Sequence, residues 1–306
     1  MRKTCLNMVY ELAKQDERIV FIGSDLGPGL LDEMKHKMPD RWYMEGVAEQ
    51  NIIGMAAGLA MEGYIPYVNT IATFITRRCY EQVALDLCLH NLPVRLIGNG
   101  GGLVYAPLGP THLAIEDMGI MRALPNMTVV APTDAEEMKR LMEVSLAVPG
   151  PMYIRLGKGG DPIVSRKEDG FKIGKSILLR EGSDLLMVTT GVMASRALKA
   201  AELLSAHGMK CSVLNMHTIK PLDHETLGVL AAKTKQIVTI EEHTLHGGLG
   251  SAVLESLCDN SKGQTPRLKR LGIPDCFSND YGSQDSLLES YGLQSTGIVK
   301  TILGEW

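Results

Sequence analysis

Gly46-Val47-Ala48-Glu49-Gln50-Asn51-Ile52-Ile53-Gly54-Met55-Ala56-Ala57-Gly58-Leu59-Ala60 is the stretch on which the reading of the whole chain depends. Ahead of it, Trp42-Tyr43-Met44 reads as a short extended run. Behind it, Met55, Ala56, Leu59 and Ala60 recur at helical spacing until Gly63 stops the helix. Glu49 therefore stands where a strand hands over to a helix, in the first helical turn. A carboxylate there complements the positive end of the helix dipole, which accounts for many such residues without any chemistry. The helix that follows is almost wholly apolar, however, so its start is expected to be buried, and a buried carboxylate needs a partner. Gly54 and Gly58 leave one face bare, with room for another backbone to approach.

Working outward, apolar runs and amphipathic stretches alternate. Thr4 is expected to cap a helix carrying Leu6, Val9, Leu12 and Ala13, and Ile19-Val20-Phe21-Ile22 reads as a buried strand before a loop at Ser24. Strands are also expected at 65–68, 94–97, 128–130 and 152–155, with helices over 74–91, 116–124 and 134–147. Continuous apolar strands alternating with helices mean a parallel sheet covered on both faces. Residues 159–174, rich in Gly, Pro and charge, are expected to link two units, 1–158 and 175–306. In the second unit strands are expected near 176–179, 184–188, 210–216, 236–240 and 267–271, with helices at 194–206, 223–232 and 249–259. In a doubly wound sheet, ligands bind beyond the carboxyl ends of the strands. That rule gathers Ser24, Glu49, residues 70–78, the loop 98–112 and Arg155 on one rim. The second unit offers a weaker set: Glu241, Glu242, His243 and His246.

Composition narrows the class. The chain has 306 residues, 45% hydrophobic and 22% charged, with a formal net charge of -4, values typical of a soluble globular protein of two domains. Nothing in that balance resembles a nucleic-acid footprint. No apolar run is long enough to span a membrane, and Met1-Arg2-Lys3 leads into no secretory segment, so a cytoplasmic protein is expected. The six cysteines lack paired short spacings, which argues against a zinc site or a disulfide framework. No metal site is expected in this chain.

Two further stretches carry candidate chemistry. Thr73-Phe74-Ile75-Thr76-Arg77-Arg78-Cys79-Tyr80-Glu81-Gln82 places an aromatic ring and basic heads together at a helix start. Gly98-Asn99-Gly100-Gly101-Gly102 opens a loop reaching Gly109-Pro110-Thr111-His112, long for a strand-to-helix connection and therefore a candidate active-site loop. Its glycines make a poor dinucleotide fingerprint, because no helix starts directly after them.

With Pro132-Thr133-Asp134, Met152-Tyr153-Ile154-Arg155, Leu214 to Asp223, and Glu241-Glu242-His243 before Gly247-Gly248-Leu249-Gly250, these motifs resemble the transketolase type of thiamine diphosphate enzymes over nearly the whole chain. Deoxyxylulose-phosphate synthase is similar too. The resemblance implies an α/β fold: a doubly wound, parallel-sheet pyrimidine-binding domain, then a smaller α/β transketolase C-terminal domain. It implies Glu49 as the catalytic residue, hydrogen-bonded to the aminopyrimidine and favouring its imino tautomer. An apolar setting, which favours the neutral carboxyl, would help it hold the proton. Glu49, Ile71, Phe74 and Arg77 are implied to bind cofactor, and His112 and Arg155 to contact substrate. Magnesium and diphosphate are held in the family by a Gly-Asp-Gly motif, which this sequence lacks. The expectation is thus the C-terminal subunit of a split transketolase. Its partner is an N-terminal subunit carrying that motif, two heterodimers form a heterotetramer, and a two-carbon ketol unit passes from ketose to aldose.

Three departures bear on the sugar. Leu108 stands where relatives place an aspartate, Gly100 near the position of a His or Arg, and Gly29 where transketolase has a phosphate-contacting serine. They point to an unusual, anionic sugar, phosphorylated or sulfonated. The alternatives are a split deoxyxylulose-phosphate synthase, a 2-oxo-acid dehydrogenase β subunit, and a non-catalytic assembly subunit.

Overall fold

The computed structural model describes residues 1–23, 29–44, 46–260 and 266–305; the expected loop at Ser24 lies outside them. Two sheets organise the chain. The first has the order β10-β5-β6-β4-β3-β1-β2 and the second β12-β11-β8-β9-β7. In the first unit β1 (Ile19–Gly23), β2 (Trp42–Met44), β3 (Ile65–Ile71), β4 (Arg95–Asn99), β5 (Thr128–Val130) and β6 (Met152–Leu156) all run parallel. They need crossovers, which α2 (Asp32–Lys37), α3 (Glu49–Met61), the helical stretch 72–89, α6 (Asp117–Ala123) and α7 (Ala135–Ser145) supply, while α1 (Arg2–Ala13) precedes β1 and packs on α7. In the second unit β8 (Leu185–Thr189), β9 (Cys211–Asn215), β11 (Gln236–Thr244) and β12 (Arg267–Ile273) are parallel, and β7 (Ile177–Arg180) is an antiparallel edge on β9. Helices α8 (Met193–Ser205), α9 (His224–Ala231), α10 (Leu249–Asn260), α11 (Gln284–Ser290) and α12 (Ser295–Glu305) cover it.

Four features differ from the sequence reading. First, α1 begins at Arg2, so Thr4 lies inside the helix and caps nothing. Second, the single helix expected over 74–91 is three pieces: α4 (Ala72–Thr76), α5 (Tyr80–Gln82) and a π-helical segment Val83–Leu89. At the break, Thr76 Oγ1 donates to Ala72 O at 2.6 Å and Cys79 Sγ to Ile75 O at 3.1 Å. Side-chain donors occupy carbonyls that a continuous helix would use, and periodicity alone cannot register this. Third, β10 (Thr218–Lys220) comes from the second unit yet pairs antiparallel with β5, extending the first sheet. Fourth, α3 is buried on one side only. Ile52, Ile53, Ala56, Ala57 and Ala60 face the core, while Gly54 and Gly58 face outward with nothing within 4 Å of a Cβ built on them.

The halves share one interior. A single apolar cluster joins Ile22, Val68, Leu96 and Val129 of the first sheet to Leu186, Val188 and Leu214 of the second. Between β9 and β10 sits His217, fully buried and stacked on Phe171 with ring centroids 4.1 Å apart. Its Nε2 is buried without a hydrogen-bond partner. Burial pushes its pKa down to about 3. The unfolded ring takes a proton near pH 6.5 but the native ring does not, so stability is lost as pH falls from 6.5 toward 3. The expected slope from this group is up to about 1.4 kcal/mol per pH unit in that window. Urea titrations between pH 4.5 and 6.5 test it: His217→Gln should flatten the slope relative to wild type, and an unchanged slope would show that the ring is not the titrating group.

Candidate active site

Glu49 opens α3 at the carboxyl-end rim of the first sheet and is 2% exposed. The chain reaches it through Gly46 (φ 65°) and Val47 (φ 58°). A β-branched residue in the left-handed region is strained, at a cost on the order of 1–3 kcal/mol, and such strain concentrates at functional sites. One carboxylate oxygen, Oε2, accepts a hydrogen bond from Arg78 Nη1 at 2.8 Å. The other, Oε1, is buried with no partner. The apolar setting expected for Glu49 is therefore incomplete, because a guanidinium reaches into it.

Phe74, half-buried in α4, lies under the same arginine: Arg78 Cζ is 3.9 Å from the ring centroid. His112 meets Phe74 edge-on, with centroids 5.3 Å apart, and Tyr105 stands 6.5 Å from His112. Glu49, Arg78, Phe74 and His112 are thus one connected group. Ile71 is half-buried at the end of β3, immediately before α4. Arg77 does not join this group. It turns the other way, with Nε 2.9 Å from Glu116 Oε1 and Nη2 3.4 Å from Thr111 O, and so ties α4 to the His112 loop. Adjacent residues at a helix end point in different directions, whereas Phe74 and Arg78 are four apart and share a face.

Arg155, expected to contact substrate, is 6% exposed. The structure encloses it: Nε is 2.8 Å from Asp117 Oδ2, and Nη2 donates to Ala114 O at 3.0 Å and Glu242 O at 2.8 Å. Burial works against the cation, but the Asp117 carboxylate outweighs it and holds the pKa above the ordinary arginine value. Tyr153 hydroxyl donates to the same Asp117 oxygen at 2.6 Å. Arg155 is a strut between the two units. The consecutive glycines of the loop have a matching cause. A Cβ on Gly101 would collide with the Arg155 side chain, and one on Gly102 (φ +69°) would lie 2.5 Å from Glu242 Cδ. These two glycines make room for the Arg155 and Glu242 side chains.

Beside this loop lies a cavity of about 180 Å³ lined by Arg2, Asn99, Gly100, Val104, Tyr105, Pro107, Leu108, Gly157 and Lys158. Burial raises the Tyr105 phenol above its ordinary pKa, and neighbouring Arg2 works the other way. Arg2 and Lys158, neither expected from the sequence, give the cavity two cationic walls; Leu108 adds a half-exposed apolar one.

The second unit meets the loop through the end of β11. His243 is fully buried; Gly119 N donates to its Nε2 at 3.1 Å, and its Nδ1 lies 2.7 Å from Thr244 O. These partners fit the neutral tautomer protonated on Nδ1, and burial lowers the ring's pKa to about 4. Glu241 caps α10 by accepting from Leu249 N and Gly250 N at 2.6 and 2.8 Å. His246 lines a separate cavity, with Arg77 and Glu116.

Residues 1–160 match the transketolase pyrimidine-binding domain and residues 174–298 the transketolase C-terminal domain. A 6-deoxy-6-sulfo-D-fructose transketolase subunit from Clostridium sp. (strain MSTE9) is 40% identical over 98% of this chain and 92% of its own length. An apulose-4-phosphate transketolase subunit from Phocaeicola vulgatus is 35% identical over 99% of this chain and 96% of its own. A solved structure described as a split gene transketolase, inactive beta4 tetramer, matches with TM-score 0.90 at 35% identity, covering 99% of this chain and 97% of that one. An α/β chain of two sheets, with a buried glutamate at a helix start beside an aromatic ring, thus belongs to the transketolase family.

Proposed function

We propose that this chain is the C-terminal-type subunit of a two-chain, thiamine diphosphate-dependent transketolase that moves a two-carbon ketol unit from an anionic ketose to an aldose. The observation that carries this reading is Glu49 Oε1, a buried oxygen with no partner, in one group with the Phe74 ring. Leaving such an atom unsatisfied costs about 1–3 kcal/mol, a cost that a ring nitrogen sharing its proton with the carboxyl removes. Arg78, on Oε2, fixes the orientation of the carboxyl, and Phe74 with Ile71 offers a flat apolar surface for the pyrimidine. When bound, thiamine diphosphate supplies an electron sink and a pyrimidine whose tautomer governs proton transfer. Glu49 holds or releases the proton at Oε1, and His112 faces the sugar.

The sequence has no Gly-Asp-Gly, so the partner chain is the one that holds magnesium and the diphosphate, in a heterotetramer of two heterodimers. The outward Gly54 and Gly58 face of α3 leaves space for another subunit's backbone. No described helix is long and apolar enough to cross a membrane, and we place the enzyme in the cytoplasm. The test is reconstitution: this chain, the complementary subunit, thiamine diphosphate and magnesium together should transfer ketol units. A correctly assembled complex without transfer on any ketose would sink the reading.

For the sugar, the Arg2–Lys158 cavity provides the selectivity. Both relatives above are transketolase subunits whose named sugars carry an anion, a sulfonate in one and a phosphate in the other. Charge-assisted bonds are worth about 1.5–3 kcal/mol, so Arg2→Ala or Lys158→Ala is expected to raise KM for an anionic ketose roughly tenfold or more. KM for a neutral ketose should stay the same. Equal losses on charged and neutral sugars would remove the cavity from substrate recognition.

A further inference from the structure

The loop bearing His112 is built as much from the second unit as from the first. Leu103, Ala106, Leu113 and Ile115 of that loop belong to the same apolar cluster as Leu185, Met187, Val238 and Ile240 of the second sheet. Thr244 N donates to Ile115 O at 2.7 Å. Glu242 is the second-unit side chain that hydrogen-bonds a backbone N–H of the loop, at Leu103. It is 1% exposed. Its Oε1 accepts from Leu103 N at 2.8 Å, and both of its oxygens accept from Gln284 Nε2, at 2.9 and 3.0 Å. Its carboxylate fills the space that a side chain on Gly102 would need.

We propose that Glu242 is a positioning residue for the His112 loop, and that this anchoring is what the C-terminal unit contributes to substrate selection. Leu103 is the first loop residue past the three glycines, which bring no side chains of their own to hold the loop where Glu242 grips it. Nine residues farther on, His112 meets Phe74 edge-on. With Leu103 N held, the segment between is pinned at one end by the carboxylate and at the other by Ala114, which exchanges backbone hydrogen bonds with Gly102. Removing the carboxylate leaves a buried N–H without a partner and opens a void beside Gly102. Both changes release the loop and leave the first residues of α3, with Glu49, untouched.

The inference rests on the ketol-transfer reading for its kinetic part only. In the chain alone, hydrogen–deuterium exchange of the peptides covering 100–113 should rise at least tenfold in Glu242→Ala, while those of β8, β11 and α3 keep wild-type protection. In the reconstituted complex, the same variant should raise ketose KM about tenfold, with kcat and the thiamine diphosphate dissociation constant changed less than threefold. Glu242→Gln, which keeps an acceptor for Leu103 N, should restore both. If Glu242→Ala fails to fold, Gln284→Ala, which removes only the outer support of the carboxylate, should show the same pattern at smaller amplitude. Unchanged exchange over 100–113, or deprotection spread evenly across the second unit, would overturn the proposal. A wild-type complex inactive on every ketose would overturn the ketol-transfer reading and leave the exchange result standing.

Discussion

Replacing Glu49 by glutamine is expected to lower ketol transfer by the assembled complex by roughly 10²–10⁴-fold, the range for removing a positioned acid–base group. Glutamine keeps the size of the side chain, and its carbonyl oxygen still accepts from Arg78, which bonds Glu49 Oε2 at 2.8 Å. What it loses is the capacity to hold or release a proton at the Oε1 position, the buried oxygen that nothing in this chain satisfies. Coenzyme affinity should therefore change little in Glu49→Gln. Glu49→Ala should lose turnover to the same degree and weaken binding as well, because it leaves a void and frees Arg78. Steady-state rates together with titration calorimetry of thiamine diphosphate separate these effects. Turnover within tenfold of wild type in either variant would remove Glu49 from the chemistry.

Asp117→Ala is expected to lower the stability of the chain by about 3–5 kcal/mol, the usual cost of stripping one partner from a buried ion pair. Asp117 is fully buried, and its Oδ2 receives both Arg155 Nε and the Tyr153 hydroxyl. Without it, a buried guanidinium loses its ion-pair partner and keeps only its bonds to Ala114 O and Glu242 O, and a buried phenol loses its acceptor. Against a typical total of about 5–15 kcal/mol, such a loss is large enough to read directly from urea midpoints. A double replacement, Asp117→Leu with Arg155→Met, should recover most of the stability, because apolar isosteres of a buried pair are often neutral or better. The same double variant tests the substrate role expected for Arg155 from sequence. Unchanged ketose KM in the stable double variant would establish the strut; a tenfold rise would return Arg155 to the sugar. Loss of less than 1 kcal/mol in Asp117→Ala would refute the strut.

Much of this was legible along the chain because it depends on near neighbours. The alternation of apolar runs and helices fixes a parallel sheet, since strands buried on both faces leave no polar side. Glu49 falls at a helix start whatever surrounds it, because the apolar spacing of α3 begins directly after it. Phe74 and His112 were marked by their positions at the rim, where loops leave the carboxyl ends of strands.

What the sequence by itself determined, then, is the alternation of strands with helices, the two α/β units and the carboxylate at position 49. The tertiary structure alone decided which charges meet. Arg78 rather than Arg77 reaches Glu49, because α4 ends at Thr76 and side-chain donors break the helix that periodicity draws through it. Arg155 turns inward because Asp117 waits in α6, 38 residues away. Strand β10 joins the sheet of the other unit, and Glu242 grips Leu103 across 139 residues. Local spacing sets which face of its own element a side chain occupies, but a buried charge is placed by its partner, and the partners here come from strands and helices that only the packed fold brings together.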